Sequence, residues 1–526
     1  MTSTKRLRQL RRIPAARFAG PAMWGAAKLR VARWDALMSD RESLRRAQER
    51  TLLAHVRAAR GTEFGRAHGF GHIKNHEDFV RRVPTRTYAD FEPFLERMRQ
   101  GERDVLYPGF VYHWGQSSGT SQTAAKNKFL PISREQIRWQ QLAGFDVLAR
   151  YLTLWGDRTF PGGYTLGLFP PSTIEPVGPV GVASNPGIMQ LHLPFPARVL
   201  QLPKEPVRDI PDYQDKLEAM AEAYLDYDVW SLSGTTCWFS VFFDHLFAAA
   251  RRRRRTVRHV VDIWPNLRVL LGGGVPAEPY RRLIEERVGR PVALLENYSA
   301  SEGGFFATTD AKDDPSMLMI PDRGVFFELV PTAEPGKPGA RRVPLWEAEA
   351  GVDYSVVLTT SSGLFAYEIG DTLRFDGVFP HRMRFVGRAA GVLSLTQELT
   401  TTLEIERAVA HAARVAPCTI VEFAASSELG VNGTAKGRYV LYLEFDGPPA
   451  DLTAFGEAFD AELCAQNRVY REHRAQDVAI LAPLIQPLSS GATRRFMQVL
   501  GQRSFQQKFP RIVGPERSAL LRSLLR

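Results

Sequence analysis

A loop rich in hydroxyl groups lies between residues 117 and 128 and has the composition of an anion-binding site. The loop reads SSGTSQTAAKNK and follows an aromatic, strand-like segment at residues 110–114. Successive backbone N–H groups in a glycine-containing turn bind anions, hydroxyl side chains add hydrogen-bond donors, and a lysine adds a positive charge. Phosphate is the anion that suits such a loop best. The candidate phosphate-binding residues are Ser117, Ser118, Gly119, Thr120 and Ser121.

Two other interpretations of this loop compete with phosphate binding. Residues 115–119 match the G-x-S-x-G turn of α/β-hydrolases, with Ser117 as the nucleophile and with Asp371 and His411 as later acid and base. That turn must pass directly from a strand into a helix, whereas here a polar stretch and a second strand-like run, KFLPI, follow. The other alternative is an ordinary solvated turn. The loop alone does not decide between a plain turn and a phosphate site.

The elements around this loop predict an α/β protein. Apolar residues recur at helical spacing at residues 41–60 and 88–99, and a glycine-rich turn at residues 61–72 joins these helices. Strand-like and helical runs then alternate as far as residue 303, which is typical of an α/β architecture. Residues 326–375 are β-rich, and the remainder has the pattern of a small α+β domain. We therefore predict two domains, residues 1–380 and residues 381–526.

Length and composition limit the classes of protein to which the chain can belong. A chain of 526 residues is long enough for two cores, and 44% hydrophobic with 24% charged residues excludes a disordered, fibrous or disulfide-rich protein. The three cysteines, Cys237, Cys418 and Cys464, are too far apart for a thiolate zinc site or a disulfide framework, which favours the reducing cytoplasm. No run reaches the ~18 to 20 apolar residues that a membrane span requires.

The net charge of +11 would attract an acidic small molecule, a membrane surface or a nucleic acid. A basic excess spread over this length is usually a solvated surface, and ATP binding would also benefit from it. Its densest part is five consecutive arginines at residues 251–255, which end an apolar helical pattern. Because cations near a helix C-terminus interact favourably with the helix dipole, we prefer this interpretation to a nucleic-acid patch.

Several further segments, in the same order along the chain, resemble one family. SSGTS with KFLP, YSASEGG from Tyr298 and YEIGD ending at Asp371 are similar to motifs of the auxin-responsive (Gretchen Hagen) family of acyl-acid amide synthetases, within the adenylate-forming superfamily. Segments such as QEL at residues 397–399 and QQKFPR near the C-terminus extend the similarity over nearly the whole chain. The resemblance implies a large N-terminal ATP- and acyl-binding domain of mixed sheets and helices with a β-rich subdomain, and a smaller, mobile α+β C-terminal domain.

The resemblance also implies a nucleotide site. The hydroxyl-rich residues 117–121 would hold the phosphates of ATP while charge develops at the α-phosphorus. Gly273 and Gly274 end a strand-like run together with Gly272 and would lie beside adenine, where the absence of a side chain permits close approach.

Four residues of the two later motifs complete the implied site. Tyr298 would stack near the base, Ser301 would contact phosphate, Glu302 would help to hold Mg²⁺, and Asp371 would accept hydrogen bonds from the ribose hydroxyls. Structural alternatives stand beside these roles. Tyr298 could be a core residue, Glu302 a surface charge, and Asp371 a cap of a turn.

Lysines are the least determined part of the implied site. The loop is about two residues longer than the family pattern, as the resemblance implies, so that either Lys126 or Lys128 could be the phosphate-binding lysine. Lys508, in QQKFPR, is the implied catalytic lysine that the C-terminal domain brings to the α-phosphate. The alternative for each lysine is a solvated side chain.

The resulting hypothesis is an ATP- and Mg²⁺-dependent ligase that adenylates a carboxylic acid and transfers the acyl group to an amine, an amino acid by resemblance. Residues 181–189 and 231–243 are candidates for lining the acid pocket. An acyl-coenzyme A synthetase and a catalytically silent nucleotide- or RNA-binding protein are the alternatives. We expect a cytoplasmic monomer with no nucleic-acid partner.

Overall fold

The computed structural model describes most of the chain, in ranges separated by short gaps. The described residues are 10–11, 16–117, 128–274, 277–312, 314–332, 341–388, 392–431, 434, 436–500 and 509–525. Within them the chain forms two compact units, one with residues 16–117, 128–211 and 215–388, the other with residues 212–214 and 392–525. The assignment of residues 1–380 as the ATP- and acyl-binding domain and 381–526 as the C-terminal domain stays a prediction.

The first part of the larger unit is helical, as the apolar spacing predicts. Its helices are α1 (Ala16–Met38), α2 (Arg41–Ala59), α3 (Glu63–Ala67), α4 (His76–Arg82) and α5 (Tyr88–Arg99). Helix α2 begins where the Asp40 carboxylate accepts a hydrogen bond from the Ser43 N–H, at 2.9 Å, and it buries Leu44 and Leu52. The turn predicted at residues 61–72 is wrong in part, since Thr62 caps the short helix α3 there.

The middle of the larger unit alternates strands and helices. These elements are β1 (His113–Ser117), β2 (Lys128–Ile132), α6 (Arg134–Trp155), β3 (Tyr164–Leu168), β4 (Glu175–Val177), β5 (Val180–Ala183), α7 (Asn185–Leu191), α8 (Phe195–Leu200), β6 (Gln201–Leu202), α9 (Tyr213–Tyr224), β7 (Val229–Gly234), α10 (Thr236–Arg252), β8 (Val269–Gly273), α11 (Glu278–Val288) and β9 (Ala293–Ala300). Strands β6, β3, β7, β8 and β9 pair in parallel with one another, in this order, in one sheet. The predicted α/β architecture is therefore confirmed.

The last part of the larger unit is made mainly of strands. They are β10 (Gly304–Thr309), β11 (Met317–Met319), β12 (Val325–Pro331), β13 (Val343–Pro344), β14 (Asp353–Thr360), β15 (Tyr367–Gly377) and β16 (Arg382–Arg388). Pairing in the described residues continues the parallel sheet, in the order β13-β12-β14-β15-β16-β11-β10-β9-β8-β7-β3-β6. A separate sheet has the order β2-β1-β5-β4. The β-rich part predicted at residues 326–375 is thus an extension of the main sheet.

The smaller unit has a sheet of its own with helices packed on it. Its elements are β17 (Val392–Leu393), β18 (Thr400–Thr401), α12 (Thr402–Val415), β19 (Thr419–Glu428), β20 (Arg438–Gly447), α13 (Leu452–Gln466), α14 (Arg468–Arg474), β21 (Leu484–Leu488), α15 (Ala492–Val499) and α16 (Pro515–Ser523). Among the described residues, β20 lies between β19 and β21. Ile405 of α12 and Phe459 of α13 are fully buried in the core of this unit. This is the α+β pattern that the sequence predicts.

A buried histidine in the larger unit makes the stability of the fold depend on pH. The His381 side chain is fully buried, its Nε2 lies 2.9 Å from the Leu345 carbonyl oxygen, and burial lowers the pKa of its imidazole to about 4. The unfolded chain, with a histidine pKa of about 6.5, takes up this proton as the pH falls, whereas the folded chain does not. Stability is therefore present above pH ~6.5 and is lost as the pH falls towards 4.

From pH 7 to pH 5, we expect His381 to lower the free energy of unfolding by about 2 kcal/mol. Urea unfolding at both pH values, for the natural protein and for His381→Gln, measures this contribution. The variant should lose less stability over the same interval, because its side chain does not titrate. Equal losses in the two proteins would show that His381 is not responsible.

Candidate active site

The YSASEGG and YEIGD motifs, far apart in the chain, meet in the larger unit. The Tyr298 hydroxyl donates a hydrogen bond to Oδ2 of Asp371, with 2.7 Å between the oxygens. Tyr298 lies in β9 and Asp371 in β15, and three strands separate β9 from β15 in the sheet. Four steps of ~4.8 Å would place these strands ~19 Å apart in a flat sheet. The sheet therefore curls here, and the curl brings the two motifs into contact.

The tyrosine of the YEIGD motif, Tyr367, lies beside the carboxylate of the YSASEGG motif, Glu302. The Tyr367 side chain, at the start of YEIGD, is fully buried. Burial, together with the negative charges of Glu302 and Asp371, raises the pKa of its phenol well above the usual range. The tyrosine of each motif therefore lies beside the carboxylate of the other, and the two carboxylates share one buried environment.

The burial of Glu302 and the position of Asp371 in a strand exclude the purely structural roles considered for these two residues. Glu302 is 8% exposed and Asp371 is 1% exposed, so Glu302 is not a surface charge, and Asp371 lies within β15 and does not cap a turn. Tyr298 is also buried and packs edge to face on Phe306, with 5.4 Å between ring centroids. Tyr298 is thus both a core residue and the hydrogen-bond partner of Asp371. Contacts of these residues with adenine, ribose and Mg²⁺ stay predictions.

The glycine turn follows β8 at the carboxyl edge of the parallel strands. The Asn297 amide of β9 donates to the Gly272 carbonyl oxygen at 2.8 Å and holds the end of β8 against β9. A Cβ at Gly272 would lie only 2.3 Å from Oγ1 of Thr236, the first residue of α10. Gly273 is the last residue of β8, and Gly274 has a φ of +78°, which favours glycine. Absence of side chains is therefore required at this edge for packing and for backbone conformation.

The structure places both ends of the hydroxyl-rich loop. Ser117 is the last residue of β1 and pairs with Lys128, the first residue of β2, in an antiparallel arrangement. A hydrolase turn would instead lead from β1 into a helix. Lys128 is 8% exposed, and its Nζ lies 5.4 Å from the ring centroid of Tyr88. Ser118, Gly119, Thr120, Ser121, Lys126 and Lys508 lie outside the described residues, and their predicted roles stay predictions.

Gln136 positions the YSASEGG turn, a role that sequence reasoning missed because the Ser133-x-x-Gln136 spacing indicated a capping box instead. Ser133 caps α6 by accepting a hydrogen bond from the Gln136 N–H. The Gln136 side chain does not close a capping box, but donates from Nε2 to the Ser301 carbonyl oxygen at 3.0 Å, while its Oε1 accepts from the Ser362 hydroxyl. Helix α6 thereby holds the backbone of Ser301 beside Glu302. A glutamine in the first turn of a helix was the available signal.

The arginine run at residues 251–255 forms ion pairs within the larger unit. Arg252 pairs with Glu222 at 2.6 Å, Arg253 pairs with Asp226 at 2.9 Å, and Arg255 also pairs with Asp226. Helix α10 ends at Arg252, as the dipole interpretation requires. Glu222 of α9 and Asp226, just after this helix, therefore neutralise much of this basic cluster.

The described residues contain neither a metal-ligand cluster nor a membrane-spanning helix. No group of three or more His, Cys, Asp or Glu side chains is arranged to hold a metal ion among these residues. Mg²⁺ in nucleotide sites is commonly held by one or two carboxylates together with substrate phosphates, so Glu302 fits the predicted metal role without such a group. In the same part of the chain, no helix has the length and apolarity needed to cross a membrane.

Comparison with family models gives matches over most of the chain. The GH3 family N-terminal domain matches residues 34–218, the GH3 family central domain matches residues 318–388, and the GH3 family C-terminal domain matches residues 403–517. The central match contains the YEIGD motif, and the N-terminal match contains the hydroxyl-rich loop.

Similar proteins include plant amido synthetases. A probable indole-3-acetic acid-amido synthetase, GH3.2 of Oryza sativa subsp. japonica, is 27% identical over 89% of this chain and 88% of its own length. The jasmonoyl–L-amino acid synthetase JAR4 of Nicotiana attenuata is 22% identical over 91% of this chain and 92% of its own length.

Solved structures share the fold. The GH3.15 acyl acid amido synthetase superposes with a TM-score of 0.57 over 94% of this chain and 95% of its own, at 20% identity. A 2-hydroxyisobutyryl-CoA ligase, bound to 2-HIB-AMP and CoA, superposes with a TM-score of 0.54 over 90% and 92%, at 16% identity. The fold is thus shared with adenylate-forming ligases, as the sequence analysis predicts.

Proposed function

Because this chain belongs to the GH3 (Gretchen Hagen) family, we propose that it uses ATP to activate a carboxylic acid as an acyl adenylate and transfers the acyl group to the amine of an amino acid. The observation that carries this proposal is the reciprocal pairing of the YSASEGG and YEIGD motifs around buried Asp371 and Glu302. The amido synthetase names of the similar proteins support the same activity.

In the first step, a carboxylate oxygen of the acid attacks the α-phosphorus of ATP, and the bond to the β-phosphate breaks to release pyrophosphate. Positioning and electrostatic stabilisation supply most of the catalysis in such a reaction. Asp371 accepts hydrogen bonds from the ribose hydroxyls, and Tyr298 fixes the carboxylate by donating to Oδ2. Gly273 and Gly274, at the end of β8, are assigned to the adenine side of the site.

The hydroxyl-rich loop and the YSASEGG turn are the proposed contacts of the phosphates. Residues 117–121 donate to them, and Lys126 or Lys128 adds a positive charge. Ser301, held in place by Gln136, contacts a phosphate, and Glu302 would hold Mg²⁺, which supplies charge neutralisation when bound. Lys508 is assigned to the α-phosphate.

In the second step, the amine nitrogen attacks the acyl carbonyl carbon, AMP leaves with the bonding electrons of the C–O bond, and the nitrogen loses a proton. A mobile C-terminal domain would rearrange between the steps and keep water from the labile adenylate. We further propose that the enzyme works as a cytoplasmic monomer with ATP and Mg²⁺.

A thiol is the alternative acceptor, although the amido synthetase names of the similar proteins fit an amine. The fold is shared with a 2-hydroxyisobutyryl-CoA ligase, in which a thiol takes the acyl group. An acyl-coenzyme A synthetase would use the same first step, so the two candidates differ only in the nucleophile of the second.

Acid-dependent exchange of labelled pyrophosphate into ATP, across a panel of carboxylic acids, tests the adenylation step. We expect exchange with at least one acid, and the mass of the product after adding amino acids or coenzyme A then distinguishes an amide from a thioester. ATP binding without exchange for any acid would overturn the proposed activity. Salt-sensitive RNA binding without exchange would instead favour a silent nucleic-acid-binding protein.

A further inference from the structure

Strand order in the main sheet defines a crevice at the carboxyl ends of β3 and β7. From β3 the chain goes through α7 and α8 to β6, on one side of β3, and it then returns to β7 on the other side. Because crossover connections are right-handed, the helices after β3 and those after β7 lie on opposite faces of the sheet. In open α/β sheets, ligands bind where the strand order reverses in this way.

The first wall of this crevice is the turn that follows β3, at residues 169–172, and two charged side chains hold its backbone. Lys216 of α9 donates from Nζ to the Phe169 carbonyl oxygen at 2.8 Å. Asp209 accepts a hydrogen bond from the Ser172 N–H at 3.0 Å. Both charged groups bind main-chain atoms of the turn. The turn is therefore held in position through its backbone and not through its own side chains.

Helix α7 packs against the same turn at Gly187. A Cβ at Gly187 would lie 2.6 Å from the Pro171 carbonyl oxygen and 3.3 Å from Cα of Ser172, so that only glycine permits this approach. Gln190 lies three residues later, on the same face of the helix as Gly187. By helix geometry, Gln190 therefore lies on the face of α7 that approaches the turn containing Ser172.

The polar side-chain atoms of Gln190 and Ser172 have no hydrogen-bond partners among the described residues. Both Oε1 and Nε2 of Gln190 are buried without a partner, and so is Oγ of Ser172. Gln190 is 8% exposed and Ser172 is 1% exposed. Buried polar groups are almost always paired, because burial without a partner costs about 1–3 kcal/mol. Three such atoms at a ligand-binding crevice indicate that a ligand supplies the missing hydrogen bonds.

We propose that Ser172 and Gln190 form a polar subsite for the acyl group, and that the preferred acid carries a hydroxyl group in addition to its carboxylate. A hydroxyl group on the acid can donate one hydrogen bond and accept others. These bonds match the Gln190 amide, which offers both a donor and an acceptor, and the Ser172 hydroxyl. A carboxylate or ammonium substituent is disfavoured, because the charges of Lys216 and Asp209 are already engaged. This inference rests on the proposed adenylation of an acid.

The test compares acids that differ by one hydroxyl group in the pyrophosphate exchange assay. The probes are 3-hydroxybutyrate with butyrate, and 4-hydroxyphenylacetate with phenylacetate. Sites built to hydrogen-bond a substrate hydroxyl strongly reject the analogue that lacks it. We expect kcat/KM for the hydroxy acid of at least one pair to exceed that of its analogue by about 100-fold.

Gln190→Leu should lower this ratio at least about tenfold, by slowing the hydroxy acid and not its analogue. Gln100→Leu, the same change at an exposed position in the larger unit, is the matched control and should leave the ratio unchanged. Because leucine replaces a buried amide that has no partner, the thermal midpoint of Gln190→Leu should not fall. A fall of about 5 °C or more would show that the amide has a structural role instead.

The results separate this inference from the proposed function. Exchange that favours the analogue without a hydroxyl in both pairs, or a ratio unchanged by Gln190→Leu, overturns the polar subsite while adenylation stands. Absence of exchange with every acid overturns adenylation, and the inference falls with it.

Discussion

Asp371→Asn should lower acid-dependent pyrophosphate exchange by about 100-fold or more, because the proposed ribose contacts depend on a charged acceptor. Hydrogen bonds to an ionised group contribute about 1.5–3 kcal/mol each, and losing two in the transition state gives this factor. Asparagine keeps the shape of the side chain, and its carbonyl oxygen can still accept from the Tyr298 hydroxyl. The folded structure should therefore survive the substitution.

Asp353→Asn is the matched control for this variant. Asp353 lies on the neighbouring strand β14, and its carboxylate pairs with Arg374 at 2.6 Å near the surface. Because exposed ion pairs contribute little, the control should keep exchange within about twofold of the natural protein. Full activity of Asp371→Asn beside a normal control would remove Asp371 from the nucleotide site.

Asp146→Ala should lower the free energy of unfolding by about 3–5 kcal/mol, since it leaves two largely buried arginines, 11% and 14% exposed, without their shared partner. Asp146 of α6 is fully buried. It accepts from Nε of Arg30, on α1, at 2.7 Å and from an NH2 group of Arg323, before β12, at 2.9 Å. This one carboxylate therefore joins three segments of the larger unit.

Urea unfolding followed by tryptophan fluorescence measures this loss. Asp244→Ala, which removes a half-exposed partner of Arg287 from α10, is the control and should cost less than about 1 kcal/mol. A loss below about 1.5 kcal/mol for Asp146→Ala would mean that Arg30 and Arg323 find other partners, with Asp322 as the available one.

Local patterns predicted the elements well, and failed where a short segment depended on a cap. The strand-like run YEIGDTLRF is β15, and the helical spacing of residues 41–60 is α2, because apolar periodicity determines which face of an element is buried. The glycines at residues 61–72 indicated a turn, yet α3 forms there once Thr62 caps it. A single side-chain hydrogen bond outweighed the weak propensities of a five-residue helix.

The candidate site was predictable in its residue types and not in its arrangement. The motifs that contain Tyr298, Glu302 and Asp371 were recognisable because each is a short, contiguous pattern. The contact of Tyr298 with Asp371 spans 73 residues and depends on the curl of a sheet. No sequence pattern pointed to Gln190, because the lack of hydrogen-bond partners for a buried amide depends on the residues packed around it in the folded protein.

The chemistry of the hydroxyl-rich loop, the α/β pattern and the family resemblance follow from the sequence by itself, because residue types and short spacings determine them. The tertiary structure alone decided that each motif's tyrosine lies beside the other motif's carboxylate, that α6 holds Ser301 through Gln136, and that α7 approaches the turn after β3 at Gly187. These contacts depend on strand order and on the closeness of packing between distant segments. Such long-range geometry is not encoded in any local window of the chain.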